Sequence, residues 1–238
     1  MPVKHSKRYI EAAALVEEDR DYQPDEAIDL IKKTASTKFD ETVELHLRTS
    51  ADPRHADQQL RGVATLPHGL GKTVRVAVFA VGEAVKAATD AGAEVVGGDD
   101  LVERIEGGFM EFDVTIATPD LMGKIGKLGR ILGRRGLMPN PRTGTVVQAE
   151  DIPNAVQEAK KGRVELRMDR TAIIHSPVGK ASFGDEQLVE NLAAIMDTIT
   201  RLKPEGVKGQ FIKTAYLTTS MGPSVPLDLA TTLTMKVE

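Results

Sequence analysis

The first 68 residues contain a single clear β-strand, and this restricts the folds that the chain can adopt. From Thr42 to Arg48 apolar and polar residues alternate, with Val43, Leu45 and Leu47 on one side. This alternation is typical of a strand with one buried face. Because one strand cannot form a stable sheet by itself, its partners must come from elsewhere in the chain. Helical spacing of apolar residues predicts two helices before this strand, the second beginning at Pro24.

Residues 74–117 follow a different pattern, in which short apolar runs alternate with helical segments. The elements expected there are strands at 74–80, 94–96 and 114–117 and helices over 83–91 and from Asp99 onward. Thr118 and Pro119 are typical of the cap and the first turn of a further helix. Since strands and helices alternate, this segment is predicted to form a parallel, three-layer α/β domain.

After residue 162 the alternation typical of antiparallel strands returns. The elements expected there are a strand at 163–169, a partner strand at 171–176, a helix over 188–202 and a final strand at 211–219. These strands can complete the sheet that the first segment begins. Residues 1–68 and 162–238 are therefore predicted to fold together as one discontinuous domain, with residues 69–161 inserted as a second domain. The chain then passes between the two domains twice, and these two adjacent crossings are expected to form a hinge.

The charged residues are distributed unevenly, although the formal net charge is −4. Acidic residues are frequent between Glu83 and Asp120, whereas none occurs between Asp120 and Glu150. The second interval contains six basic residues, Lys124, Lys127, Arg130, Arg134, Arg135 and Arg142. This asymmetry predicts one phosphate-binding surface on an acidic body. A solvated basic loop is the alternative, and composition alone favours it by a small margin.

Several classes of function are excluded by what the sequence lacks. It contains no cysteine, so neither a disulfide framework nor a thiolate metal site can form. No apolar run approaches the roughly 20 residues that cross a bilayer, and no apolar core of a signal peptide follows the basic N-terminus. The histidines are scattered, and no nucleophile elbow occurs. The chain is therefore predicted to be a cytoplasmic protein without membrane association, enzymatic activity, metal or cofactor.

The segment 69–73, Gly-Leu-Gly-Lys-Thr, is similar to the end of a phosphate-binding loop. That motif requires a further glycine at the position that is Leu66 here. A strand also follows the segment, whereas a phosphate-binding loop opens a helix. A nucleotide-dependent enzyme and a protein-binding adaptor that uses the acidic helices are the alternatives from other functional classes. Magnesium-dependent ATP binding would favour the enzyme, and co-purification that resists RNase would favour the adaptor.

Eight short segments are more specific together than any one of them is alone. They are KFDETVE at 38–44, DPR at 52–54, LPHGLGK at 66–72, ATPD at 117–120, LGRILG at 128–133, GLMPNP at 136–141, PVGK at 177–180 and TTSMGPS at 218–224. Together they resemble the ribosomal protein L1 family over essentially the whole chain. Arg134 and Ser220 depart from the family pattern, which commonly has proline and threonine there. The resemblance implies an α/β (α+β) fold, with a discontinuous antiparallel α/β split domain and an inserted Rossmann-like three-layer α/β domain.

The resemblance also implies where RNA binds. The principal site would lie on the split domain, at the start of the first strand and after the last strand, and would comprise Lys38, Phe39, Thr42, Thr219, Ser220, Met221 and Gly222. Weaker candidates on the intervening strands are Arg167, Asp169 and His175. Auxiliary contacts would come from Lys124, Lys127, Arg130, Arg134 and Arg135. Without the resemblance, Phe39 is more simply interpreted as a core residue and residues 221–223 as an ordinary turn.

The partners that the resemblance implies are all parts of the translation apparatus. The chain would bind 23S rRNA at the mobile L1 stalk of the large subunit, near the E site, and assist release of deacylated E-site tRNA. It would also repress its own operon by binding the mRNA leader, and it would be a monomer when free. Folded RNA presents ribose hydroxyls in a shallow minor groove, so it is recognised by shape as well as charge. Recognition of this kind is compatible with a net-acidic protein.

Overall fold

The computed structural model describes residues 5–17 and 19–235, and these divide into two compact units. The split unit contains the residues up to 71 and from 164 onward, and the inserted unit contains residues 72–163. The sequence predicts the crossings after residues 68 and 161. Residues 69–71 belong to the split unit because the amide of Asn191 donates to the Gly69 carbonyl at 3.0 Å and a Cβ on Gly71 would lie 2.7 Å from Phe183.

The central sheet of the split unit is assembled from distant parts of the chain. Its strands lie in the order β7-β1-β8-β9 and are antiparallel. Their bounds are β1 Thr42–Thr49, β7 Ile173–Lys180, β8 Ile212–Thr219 and β9 Val225–Pro226. The predicted first strand is therefore an interior strand, and its alternating residues Val43, Leu45 and Leu47 are fully buried, as predicted.

Three helices accompany this sheet. They are α1 Lys7–Ala13, α2 Pro24–Thr34 and α8 Asp185–Arg201. Pro24 occupies the first turn of α2, as predicted, and the next two residues, Asp25 and Glu26, complement the helix dipole. The buried faces of α2 and α8 pack against each other and against the sheet, where Ile28, Leu192 and Ile195 join its core. The opposite face of the sheet carries the alternating polar residues of β1.

The pairing of two strands in the split unit differs from the prediction. The sequence pairs residues 163–169 with 171–176, but β6 Arg163–Arg167 pairs with β2 Arg61–Thr65 in a separate two-stranded sheet. The predicted partner strand, residues 171–176, instead contributes to β7, which pairs with β1. A single bridge, between Met168 and Ile174, joins the two segments that were expected to pair. The first segment therefore contains two strands rather than one. In β2, Gly62 weakens the strand pattern, and it is required because a Cβ there would lie 2.1 Å from Leu202.

Two further elements at the end of the chain were not predicted. The short strand β9 follows a turn after β8, and the helix α9, Leu229–Thr232, follows β9. The side chain of Asp228 caps α9 by accepting from two backbone N–H groups. Both elements are too short for a periodic pattern to identify them in the sequence.

The inserted unit is the three-layer α/β domain that the sequence predicts. Its parallel sheet has the order β4-β3-β5, with β3 Val76–Phe79, β4 Val95–Gly97 and β5 Val114–Ala117. Helices α3 Glu83–Asp90, α4 Asp99–Glu106 and α7 Ile152–Gly162 complete the layers. Every residue of β3 is buried, and separate apolar clusters lie on the two faces of the sheet.

The helix predicted after Thr118 is broken into single turns. A 3-10 turn, Pro119–Leu121, is followed by α5 Met122–Ile125 and, after another 3-10 turn, by α6 Gly129–Leu132. Thr118 is the N-cap residue and Pro119 lies in the first turn, as predicted, but the Thr118 side chain makes no cap hydrogen bond and its hydroxyl is buried without a partner. Glycine lowers helix stability relative to alanine, and its recurrence here is consistent with these interruptions.

Candidate nucleic-acid interface

Two large apolar side chains of the split unit project into solvent from well-tethered segments. The Phe39 side chain lies before β1 and is 56% exposed, so the interpretation of Phe39 as a core residue is wrong. Met221 follows β8 and is 52% exposed. The Phe39 carbonyl accepts a hydrogen bond of 3.0 Å from the Thr37 hydroxyl, which restrains the backbone that carries the ring.

The segments that carry Phe39 and Met221 are joined although they lie almost the whole chain apart. The backbone N–H of Thr42 donates to Ser220 Oγ at 3.1 Å, and the N–H of Ser220 donates to the Thr42 carbonyl, also at 3.1 Å. The N–H of Met221 donates to Glu41 Oε2 at 2.9 Å. These bonds extend the pairing of β1 with β8 beyond the strands. We call the surface formed by Lys38, Phe39, Thr42, Ser220 and Met221 the Phe39–Met221 surface.

A third segment supports the same surface from β7. Lys180 Nζ donates to Thr42 Oγ1 at 2.9 Å, so the Thr42 hydroxyl is already engaged within the protein. The Asp40 carboxylate accepts from the Ser182 hydroxyl at 2.8 Å and from the Ser182 N–H at 3.1 Å. Because both sides of the segment before β1 are tethered, Phe39 is presented by an ordered backbone.

Thr219 and Gly222 differ from the other candidates in their segment. Thr219 is only 2% exposed, so its side chain supports the surface from beneath. A Cβ at Gly222 would lie 2.4 Å from Thr219 Oγ1, which explains the glycine by packing within the protein. The resemblance places Gly222 in the RNA site. The internal contact already accounts for the residue.

Glu41 is a buried carboxylate that the sequence analysis missed. Its residue is 1% exposed, and its oxygens accept from Met221 N–H and, at 3.2 Å, from Thr37 N–H. Burial raises its pKa, but the hydrogen bonds outweigh burial and hold the pKa below its usual value. The Thr219 hydroxyl contributes to this effect, although its geometry falls short of a regular hydrogen bond. The sequence did contain a signal, because Glu41 is in phase with the inward residues of β1.

The weaker candidates lie away from the Phe39–Met221 surface. Lys180, next to Thr42, and His175 are five residues apart on β7, or roughly 16 Å along a strand. His175 Nδ1 lies 2.8 Å from Nδ1 of His46, its partner on β1. Arg167 is exposed on β6 in the other sheet. The structure therefore does not bring these candidates to the Phe39–Met221 surface.

Asp169 is engaged in the turn between β6 and β7. Its Oδ1 accepts from Thr171 N–H and Ile173 N–H, both at 2.8 Å, and His175 lies within ion-pair distance at 3.5 Å. Burial raises the pKa of Asp169, but these hydrogen bonds outweigh it and lower the pKa to about 2. A structural role in the turn therefore accounts for the ionised carboxylate.

We expect this turn to contribute an acid-dependent part of the stability. The folded-state pKa is lowered, so the contribution is complete above the unfolded value near 3.8 and is lost as pH falls through about 2. In Asp169→Asn the loss of stability between pH 5 and pH 2.5 should be smaller than in the wild type. Urea unfolding at several pH values measures this difference. An identical pH dependence in the two proteins would contradict the role of Asp169.

The basic candidates of the inserted unit form an exposed segment. Lys124, Lys127, Arg130, Arg134 and Arg135 are all exposed and alternate with buried apolar residues. Lys124 Nζ is paired with Asp99 at 2.7 Å, which partly neutralises its charge. A Cβ at Gly123, Gly126 or Gly129 would meet no atom within 4 Å, so packing inside the unit does not require these glycines. The segment therefore presents an exposed surface of basic side chains and unobstructed glycines.

The rest of the described chain adds no competing chemistry. Within residues 5–17 and 19–235, no group of three or more histidine and acidic side chains is arranged to hold a metal ion. None of the helices in these ranges has the length and apolar character that a membrane span requires. The segment 69–73 leads into β3 through residues 74 and 75, so it does not open a helix.

Comparison with known proteins agrees with this architecture. A family model described as the ribosomal protein L1p/L10e family matches residues 31–223. The large ribosomal subunit protein uL1 of Dehalococcoides mccartyi strain BAV1 is 60% identical over 95% of this chain and 96% of its own length. Those of Thermomicrobium roseum and Chloroflexus aggregans are 57% and 55% identical, over 97% and 98% of this chain and 96% and 99% of their own lengths. This family is structural and non-enzymatic, which confirms the prediction that the chain is not an enzyme. With the split sheet, the inserted α/β unit and these relatives in agreement, the chain belongs to the ribosomal protein L1p/L10e family.

Proposed function

We propose that the chain is a component of the large ribosomal subunit and binds 23S rRNA through the Phe39–Met221 surface. The observation that carries this proposal is the pairing of two exposed apolar side chains, Phe39 and Met221, on segments joined by three hydrogen bonds. These two side chains stand on ordered backbone, so binding a partner costs little further backbone entropy. They are therefore suited to pack against sugar and base faces of folded RNA.

The chemistry around the two apolar side chains suits the backbone of RNA. Lys38 is exposed beside Phe39 and can contact phosphate, and Ser220 Oγ can exchange hydrogen bonds with a ribose hydroxyl. The Thr42 hydroxyl is engaged by Lys180 and the Thr219 side chain is buried, so both would act by shaping the surface. Recognition by shape, with few phosphate contacts, is compatible with a formal net charge of −4.

The remaining parts of the proposal concern partners. The relatives are named large ribosomal subunit proteins, which supports the same assembly for this chain and the predicted cytoplasmic location. We propose that the rRNA site is the mobile L1 stalk near the E site, where the protein assists release of deacylated tRNA. A stem in the leader of its own operon mRNA that presents the same shape would occupy the same surface, which would make the protein a translational repressor. The free protein would be a monomer.

Footprinting with total rRNA tests the central claim. We expect the wild-type protein to protect one region of 23S rRNA and none of 16S rRNA, because shape recognition requires one folded target. The same region should lose protection when a synthetic fragment of it is added as competitor. Protection of scattered sites that disappears with moderate salt would indicate electrostatic binding alone and would contradict the proposal.

The inserted unit is proposed to add an auxiliary contact with a small effect. We expect Lys124→Ala with Lys127→Ala to weaken 23S rRNA binding by roughly threefold at low salt and to flatten the salt dependence. Lys124 contributes little because Asp99 already compensates its charge. Filter binding over a salt series measures both effects, and Lys86→Ala on α3 is a control for loss of a lysine elsewhere in the same unit. A loss of affinity larger than that of Phe39→Ala would indicate that the main RNA site lies on the inserted unit.

A further inference from the structure

The carboxylate of Glu41 lies beneath the Phe39–Met221 surface at the point where its segments converge. Oε1 accepts from the backbone N–H of Thr37, two residues before Phe39, and Oε2 accepts from the backbone N–H of Met221. The backbone carbonyl of Glu41 accepts from Ala181 N–H at 2.9 Å. One residue therefore connects the segment before β1, the segment after β8 and the segment after β7.

The two donors that face Glu41 require an acceptor at each oxygen. An ionised carboxylate supplies two acceptors, whereas a glutamine amide supplies one acceptor and one donor. In Glu41→Gln, the NH2 group would face either Met221 N–H or Thr37 N–H, and one of these bonds would be lost. Hydrogen bonds to a charged acceptor are also stronger than those to a neutral one. The site is therefore built for a charged side chain.

An acidic residue is otherwise unfavourable so close to a surface that would bind a polyanion. A carboxylate near phosphates is repelled, and substituting it with an amide should strengthen binding if charge alone mattered. Here the carboxylate is almost completely enclosed, and the backbone N–H groups that surround it compensate its charge. Its position indicates a role in geometry rather than in direct contact with RNA.

We propose that Glu41 is a positioning residue for RNA binding, which holds Met221 and the backbone before Phe39 in the arrangement that the RNA recognises. This inference rests on the proposed function of the Phe39–Met221 surface. Glu41 acts through Met221 and Phe39 and does not touch RNA. Without the carboxylate, the Met221 N–H loses its acceptor, and the segment is held by bonds at the neighbouring residues, between Ser220 and Thr42 and between Gly222 N–H and the Thr219 carbonyl.

The test compares Glu41→Gln with the wild type in binding to a 23S rRNA fragment over a salt series. We expect affinity to fall roughly tenfold, the effect of losing one hydrogen bond to a charged group. The slope of affinity against salt should stay the same, because no phosphate contact is removed. Faster hydrogen exchange at the Met221 amide should accompany the loss. Glu186→Gln, an exposed position on α8, makes the same chemical change and should leave affinity unchanged or slightly higher.

One further variant keeps the test decisive. Glu41→Asp preserves the charge but is one methylene shorter and cannot reach both donors, so its affinity should lie between those of wild type and Glu41→Gln. If Glu41→Gln does not fold, the proposal is tested with Glu41→Asp alone. An affinity of Glu41→Asp equal to that of the wild type would then overturn the proposal. Unchanged or stronger binding by folded Glu41→Gln would also overturn it. If Phe39→Ala and Met221→Asp lower affinity while Glu41→Gln does not, only the positioning role fails. If none of the three lowers it, the proposed function fails as well.

Discussion

Met221→Asp is expected to weaken binding of 23S rRNA roughly 100-fold, and Phe39→Ala roughly 10- to 100-fold, with little change in thermal stability. Loss of an aromatic stacking partner removes about 1–3 kcal/mol of binding free energy. The aspartate at position 221 removes an apolar contact and also places a negative charge beside phosphates. Both side chains are more than half exposed, so the substitutions leave the core intact and the melting temperature should stay within a few degrees.

A matched pair of controls separates this surface from exposed apolar residues in general. Val81 is exposed to a similar degree but belongs to the inserted unit, so Val81→Asp and Val81→Ala should bind nearly as well as the wild type. Filter binding at fixed salt, with circular dichroism melting of each variant, measures the affinity and checks the fold. Wild-type affinity in both Phe39→Ala and Met221→Asp would show that RNA binds elsewhere.

Asn191→Leu is expected to produce the largest loss of stability, about 3 kcal/mol in the split unit. The Asn191 side chain is 0% exposed on the inner face of α8. Its Nδ2 donates to the carbonyls of Val178 at 2.8 Å and Gly69 at 3.0 Å, and its Oδ1 accepts from His68 N–H at 3.1 Å. A leucine of similar size leaves the two buried carbonyls without a donor, and each orphaned group costs about 1–3 kcal/mol. The His68 N–H lies near the surface and can bind water instead.

The tyrosines make this prediction measurable in one unit. The chain has no tryptophan and three tyrosines, Tyr9, Tyr22 and Tyr216, all of which lie in the split unit. Tyrosine fluorescence during urea unfolding therefore reports on that unit alone. Gln210→Leu replaces an amide with leucine at an exposed position of the split unit itself and should alter stability by less than about 0.5 kcal/mol. A midpoint for Asn191→Leu equal to that of the wild type would show that the buried amide is dispensable.

The main elements of both units could be predicted from local periodicity. The local sequence pattern indicates which side chains are buried in three such elements: the inward residues of β1, the start of α2 at Pro24 and the continuous apolar run of β3. Because burial repeats every two residues in a strand and every three to four in a helix, a short window is sufficient to identify such elements. The insertion of one domain in another was predicted from the shortage of strands in the first segment, to which the structure adds a second strand, β2.

Pairing between strands could not be predicted in the same way. The partner of β6 is β2, about a hundred residues earlier, and no property of either strand alone specifies the other. The helix expected after Thr118 is interrupted, because its apolar spacing is helical while its glycines permit single turns. The strand pairing depends on contacts with distant parts of the chain, which outweigh local preference, whereas the glycines act locally.

The candidate site shows the same division between sequence and tertiary structure. The resemblance to a family supplied the names of Phe39 and Met221, and the sequence alone determined which residue types could meet RNA. Only the tertiary structure decided that both side chains are exposed, that Thr219 is buried, that Gly222 is explained by an internal contact and that Glu41 connects the segments. The physical reason is that exposure and hydrogen bonding at this surface arise where β1 and β8 pair, which joins residues nearly 180 positions apart.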